Sequence, residues 1–106
     1  MDSRVAISIE KNKLTLSGVL DFDSVLDVDA QGREWINASA LYDCSLDLGL
    51  VTYSSSAGIA LLLGWMRLAQ QQQKKLRIVR LPMKMLILAK VSGLDDFLSC
   101  RCDNIS

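Results

Sequence analysis

Three adjacent hydroxyls, Ser54-Ser55-Ser56, hold the densest chemistry in the chain. They follow the apolar run Leu46-Asp47-Leu48-Gly49-Leu50-Val51 and precede Ala57-Gly58-Ile59-Ala60-Leu61-Leu62-Leu63. A turn of this kind sets side-chain oxygens and unpaired backbone N–H groups at a helix start, where partial positive charge attracts anions and acceptors. One serine is enough to cap a helix, at about 1 kcal/mol relative to Ala. Three leave hydroxyls to spare, and Ala57-Gly58 removes bulk where a partner backbone could come close. Capping alone and capping with partner contact both fit these residues, and the helix dipole would also favour a phosphate on Ser56. Nucleophilic catalysis does not fit. The chain has no histidine, and no other base of suitable type stands near the serines in sequence.

The rest of the composition narrows the function further. Twelve basic and twelve acidic residues cancel, so no broad field draws nucleic acid or an anionic membrane. Without histidine the commonest metal ligand is missing, and no Gly-rich phosphate loop ending in Lys is present for a nucleotide with Mg²⁺. The expectation is a non-enzymatic protein with no catalytic residue, cofactor or metal. Cys44 reads as a small apolar residue entering a core strand. Cys100 and Cys102, in the polar stretch Cys-Arg-Cys-Asp-Asn-Ile-Ser, read as incidental thiols rather than a metal or redox pair. The N-terminal residues lack the apolar core of a signal peptide. The longest apolar run, Ile59 to Met66, falls far short of the roughly 20 residues that span a bilayer. A cytoplasmic protein without direct membrane insertion is expected.

A chain of 106 residues suits one domain, with a core over about 5–98 and a polar tail over 99–106. Val5, Ile7 and Ile9 alternate with Ala6, Ser8 and Glu10, the period of a half-buried strand. Asn12 supplies a turn and Leu14 and Leu16 continue as a second strand, predicting an N-terminal hairpin. Asp21-Phe22-Asp23-Ser24 offers N-cap oxygens to a first helix carrying Val25, Val28 and Gly32 to Ile36, which Gly32 and three aspartates weaken. Cys44 to Leu48 reads as a short central strand, Ser56 to about Gln72 as the second helix, and Leu76 to Arg80 as a last strand. Pro82 opens a third helix over Met83 to Val91, closed by Ser92-Gly93, and Leu94-Asp95-Asp96-Phe97-Leu98 adds a further helical turn. Strands alternating with helices after a hairpin predict an α/β domain with a mixed, mostly parallel sheet and helices mainly on one face.

The second helix carries two apolar stripes. Ile59, Leu62, Leu63, Met66 and Ala69 recur at helical spacing and would face the sheet. Leu61, Trp65 and Leu68 form another, offset by roughly 200° at about 100° per residue. This second stripe either packs under a neighbouring helix or forms an exposed patch for a protein partner, where Trp is enriched. In the third helix Met83, Leu86, Ile87 and Val91 are expected to face the core, with Met85 and Leu88 off that stripe. Arg77 and Arg80, alternating on the last strand, read as solvated edge residues.

Three separated segments resemble the STAS family. Leu16-Ser17-Gly18-Val19-Leu20-Asp21 is similar to its early Leu-x-Gly-x-Leu-Asp turn, Leu46-Asp47-Leu48 through Gly58-Ile59-Ala60-Leu61-Leu62 to its central strand–loop–helix signature, and Val91-Ser92-Gly93-Leu94 with Phe97 to its closing segment. Ala60-Leu61-Leu62-Leu63 and Leu88-Ala89-Lys90 look most like the branch that forms the cytoplasmic subunit of Mla-type phospholipid-trafficking ABC transporters. That resemblance implies a subunit that binds and regulates or stabilises the transporter ATPase (MlaF-like), in a complex with a membrane permease, with the hydroxyl turn at the contact. Together with the stripe of Leu61, Trp65 and Leu68 read from helical spacing, the candidate partner surface is Ser54, Ser55, Ser56, Ala57, Gly58, Leu61, Trp65 and Leu68. The alternative branch, the anti-sigma-factor antagonists, carries an Asp-Ser-x-Gly loop whose Ser is phosphorylated by a kinase. Aligned on Gly58, that Ser falls on Ser56, but Ser55 stands in place of the Asp.

Overall fold

The computed structural model describes residues 5–38 and 43–93. Strands β1 (Val5–Glu10) and β2 (Lys13–Leu20) form an antiparallel hairpin. β3 (Asp43–Ser54) pairs parallel with β2 on one side and with β4 (Lys75–Val79) on the other, giving the order β1-β2-β3-β4. The connections are helices α1 (Ser24–Ala38) and α2 (Ser56–Gln71), and α3 (Met83–Val91) follows β4. This is the expected mixed α/β architecture. β3 is longer than its apolar run implied: it continues through Leu50 to Ser54, so the first of the three serines is still strand.

Period-2 patterning selects the faces. Leu14, Leu16 and Leu20 of β2, Cys44, Leu46 and Leu48 of β3, and Leu76 and Ile78 of β4 are all buried. α1 lies against β1 and β2, and α2 against β3 and β4, so these side chains and the inner faces of the helices form one core. α1 starts where the aspartates suggested: Asp21 Oδ1 accepts the Ser24 N–H at 2.8 Å, and Ser24 Oγ accepts the Asp21 N–H at 2.8 Å. That reciprocal pair satisfies two donors at the helix entrance.

Two expectations about helix faces are corrected. Trp65 is fully buried and Leu61 nearly so, with Leu68 half-buried against the same core, so this stripe packs under α1 and is not exposed to a partner. The Trp65 ring lies flush on Gly32, where an added Cβ would come within 2.1 Å of it, and its Nε1–H donates to Asp29 Oδ1 at 3.0 Å. Gly32, read as a weak point of the first helix, is the groove that receives the indole. In α3 the inward residues are Met85 and Ala89, while Met83, Ile87 and Val91 are 51 %, 52 % and 83 % exposed. All three helix faces are apolar, so periodicity alone could not choose the inner one. The helical turn expected over Leu94–Leu98, with Cys100 and Cys102, lies outside the described residues.

Among the described residues, no helix is long and apolar enough to cross a membrane, and no cluster of three or more His, Cys, Asp or Glu could hold a metal ion. The described cysteine, Cys44, is buried in the core.

Candidate functional site

The serine turn sits where β3 passes into α2, and its hydroxyls divide the work. Ser55 is the N-cap: its backbone is extended and its Oγ accepts the Ala57 N–H at 3.2 Å. Ser54 Oγ donates to the Ser55 carbonyl at 2.9 Å. Ser56 is the first residue of the helix and exposed, so its hydroxyl is presented to solvent at the positive end of a 16-residue helix. The turn is pinned to the sheet by the Ser55 N–H, which donates to the Leu20 carbonyl at 2.9 Å.

Ala57 and Gly58 do not face a partner. Both are buried, and a Cβ on Gly58 would stand 2.1 Å from Ser54 Oγ and 3.1 Å from Leu20 Cβ. Gly58 thus sits tight against Ser54 and Leu20 inside the domain and Ala57 is buried beside it, which corrects the expectation that they clear space outside it. Of the eight residues proposed for partner contact, the structure keeps Ser54, Ser55 and Ser56 at the surface, places Ala57, Gly58, Leu61 and Trp65 inside, and leaves Leu68 half-buried.

Other surface residues join the serines instead. Because the Ser55 N–H bonds to Leu20, the β2–α1 turn lies beside the serine turn, and there Phe22 and Leu26 are 70 % and 75 % exposed. On the other side, a cleft of about 510 Å³ runs between the end of β3, the three serines and the start of α3. Val51, Tyr53, Met85, Ile87 and Leu88 give it apolar walls, and Lys84 stands at it as a cation. Sequence reading spent Asp21-Phe22-Asp23 on capping and Ile87 on the core. An apolar side chain between two cap-forming aspartates was the signal available for Phe22.

Asp47 and Arg80 form a second polar feature, on the sheet face away from the core helices. Asp47 is 2 % exposed. Arg80 binds it through Nε to Oδ1 at 2.9 Å and Nη2 to Oδ2 at 2.8 Å, Lys13 Nζ stands 3.4 Å from Oδ2, and the Gly49 N–H donates to Oδ1 at 2.9 Å. Arg80 turns back by adopting a left-handed backbone, φ 56°. It is therefore a half-exposed residue that also clasps β3, more than the solvated edge residue expected. The Arg80 guanidinium holds the Asp47 carboxyl below the usual carboxylate range against burial, which alone would raise it; Gly49 and Lys13 pull the same way as Arg80. A carboxylate so fully engaged is a tie between strands, not a base for catalysis.

A family profile described as "Mlab, STAS domain" matches residues 3–99. No curated protein matches the chain at a significant level. Among solved structures, the unphosphorylated anti-sigma factor antagonist SpoIIAA superposes with a TM-score of 0.71 at 16 % identity, covering 96 % of this chain and 87 % of that one. The phosphorylated form of SpoIIAA, a Bacillus cell fate determinant, gives 0.70 at 17 % identity, covering 96 % and 90 %. The hairpin, the parallel β2-β3-β4 order and the hydroxyl turn opening α2 are thus set in a fold shared with SpoIIAA, and with the profile matching nearly the whole chain, this protein belongs to the STAS domain family of the Mlab type.

Proposed function

We propose that this domain is a non-enzymatic subunit, MlaB-like, that docks on the cytoplasmic ATPase of an ABC transporter moving phospholipids between Gram-negative membranes. The observation that carries the docking surface is the division of labour among the serines. Ser55 already caps α2, so the exposed Ser56 hydroxyl is available to a partner, and Phe22, Leu26 and the apolar cleft flank it. The Mlab-type profile supports the transporter partner over other STAS partners. Such a subunit would be cytoplasmic and peripheral to the inner membrane through the ATPase and its permease. It would need no nucleotide site of its own.

The test is co-purification of the transporter ATPase with the full chain from a Gram-negative host carrying both. Ser56→Trp fills the surface of the turn without touching the cap. Its loss of the ATPase, with an unchanged thermal midpoint, is the expected result; retention of the ATPase overturns the docking surface, and absence of any ATPase with the unsubstituted chain overturns the partner.

A second reading is favoured by the exposure of Ser56 at a helix N-terminus, where a phosphate is electrostatically welcome. It is an antagonist of an anti-sigma factor, switched by phosphorylation of Ser56. Intact-mass measurement after incubation with candidate kinases separates the two, since stable gain of one phosphate on Ser56 supports the switch.

A further inference from the structure

β3 is a 12-residue strand, but β4 pairs only with its first part, Asp43 to Asp47. Beyond that, its described main-chain pairing is on the β2 side alone, where Leu50, Val51, Tyr53 and Ser54 are matched to Ser17, Gly18, Val19 and Leu20. The other edge of residues 50–54 borders the cleft beside α3. Two register shifts against β2, between Asp47 and Leu50 and between Val51 and Tyr53, bend this stretch, but no described strand covers its other edge, so the main-chain groups there offer a short template for another extended chain. Apolar walls on both sides of that edge, from Val51 and Tyr53 and from Ile87 and Leu88, would take alternate side chains of such a chain.

We infer that the cleft between the free edge of β3 and α3 binds an extended, acidic segment of a partner protein by strand addition. Charge decides the chemistry of the occupant. Among the described residues lining the cleft, Lys84 is the one charged group, and the others supply hydroxyls and apolar groups and no carboxylate. An incoming carboxylate therefore meets a cation and donors, whereas a basic segment would meet Lys84 unopposed. A helix suits the site less, because its main-chain groups are already bonded to one another. The inference stands whether the serine turn docks on a transporter ATPase or on a kinase.

The test is selection of a displayed library of random 12-residue peptides on the immobilised full chain. Enriched peptides are expected to alternate apolar residues at period 2 and to carry Asp or Glu. Bound as a synthetic peptide, one of them should slow hydrogen exchange of main-chain amides within residues 50–54 by about tenfold or more. Lys84→Glu and Ile87→Glu change exposed side chains, so they should keep the thermal midpoint while weakening that peptide by about tenfold. Enrichment of nothing, of basic peptides, or of peptides with helical periodicity overturns the inference, as does binding that leaves exchange at 50–54 unchanged. Self-association of the chain that protects the same amides would assign the edge to a second copy instead.

Discussion

Ser55 caps α2 while its neighbour Ser56 is exposed at the first turn, and single substitutions should separate them. Ser55→Ala removes the oxygen that receives the Ala57 N–H, so it should lower the stability of the free domain by about 1 kcal/mol, measured by urea unfolding. Ser56→Ala removes an exposed hydroxyl that caps nothing. It should leave the unfolding curve in place and weaken partner binding by about 1 kcal/mol in a titration, the worth of one intermolecular hydrogen bond. Trp65 shows the same contrast between surface and interior. With its ring on Gly32 and its N–H on Asp29, Trp65→Ala should destabilise the free domain by about 3–5 kcal/mol. Its fluorescence, read in a Trp35→Phe background, should be blue-shifted before any partner is added. The sequence pointed to the serine turn because three hydroxyls at a strand–helix junction are conspicuous. It did not reveal which of them was spent on the cap, because that depends on how far β3 runs before the helix begins.

At the scale of elements, α2 and α3 differ in how well pattern predicts face. The sheet-facing stripe of α2, Ile59, Leu62, Met66 and Ala69, was legible and is buried. Its second stripe is buried too, because α1 lies alongside, and the clue was Gly32 at the level of Trp65 rather than anything on α2 itself. α3 is apolar almost all round, so its inward side is decided by the direction in which the chain leaves Arg80 and Leu81. Met85 occupies the inside and Ile87 the outside. Met85→Ala should therefore cost about 2–5 kcal/mol of stability, whereas Ile87→Ser should stay within about 0.5 kcal/mol of the parent. Paired chemical denaturation curves check both. Equal losses would mean that Ile87 is as much a core residue as Met85.

For the molecule as a whole, the order of strands and helices was readable from alternation of period-2 and period-3.6 segments, and the hairpin from Asn12 between two short apolar runs. The Asp47–Arg80 clasp was not readable, since the two lie far apart in sequence and meet only once β3 and β4 pair. It sets how global stability responds to acid. The Asp47 carboxyl has an ordinary value of 3.8, lowered in the fold by Arg80. A lowered value means that the unfolded chain takes up the proton first. The clasp's contribution is then fully present above pH 3.8 and is lost as pH falls through the lower folded value. Asp47→Asn should lower stability at neutral pH by about 1–3 kcal/mol, moderated by the half-exposed Arg80 side chain, and should flatten the decline below pH 4 in thermal scans. A parallel decline in parent and variant would show that other carboxylates govern acid unfolding.

The clasp also marks where the sheet stops. At Arg80 the backbone goes left-handed and the chain turns off toward α3, so β4 ends while β3 runs on. The half of β3 that no other described strand covers on this side, bordered by Tyr53, Ile87 and Leu50 at 56 %, 52 % and 55 % exposure, is an adhesive border on the described fold. Such a border should make the isolated domain adhesive to a second copy at high concentration, which sedimentation across a concentration series would show.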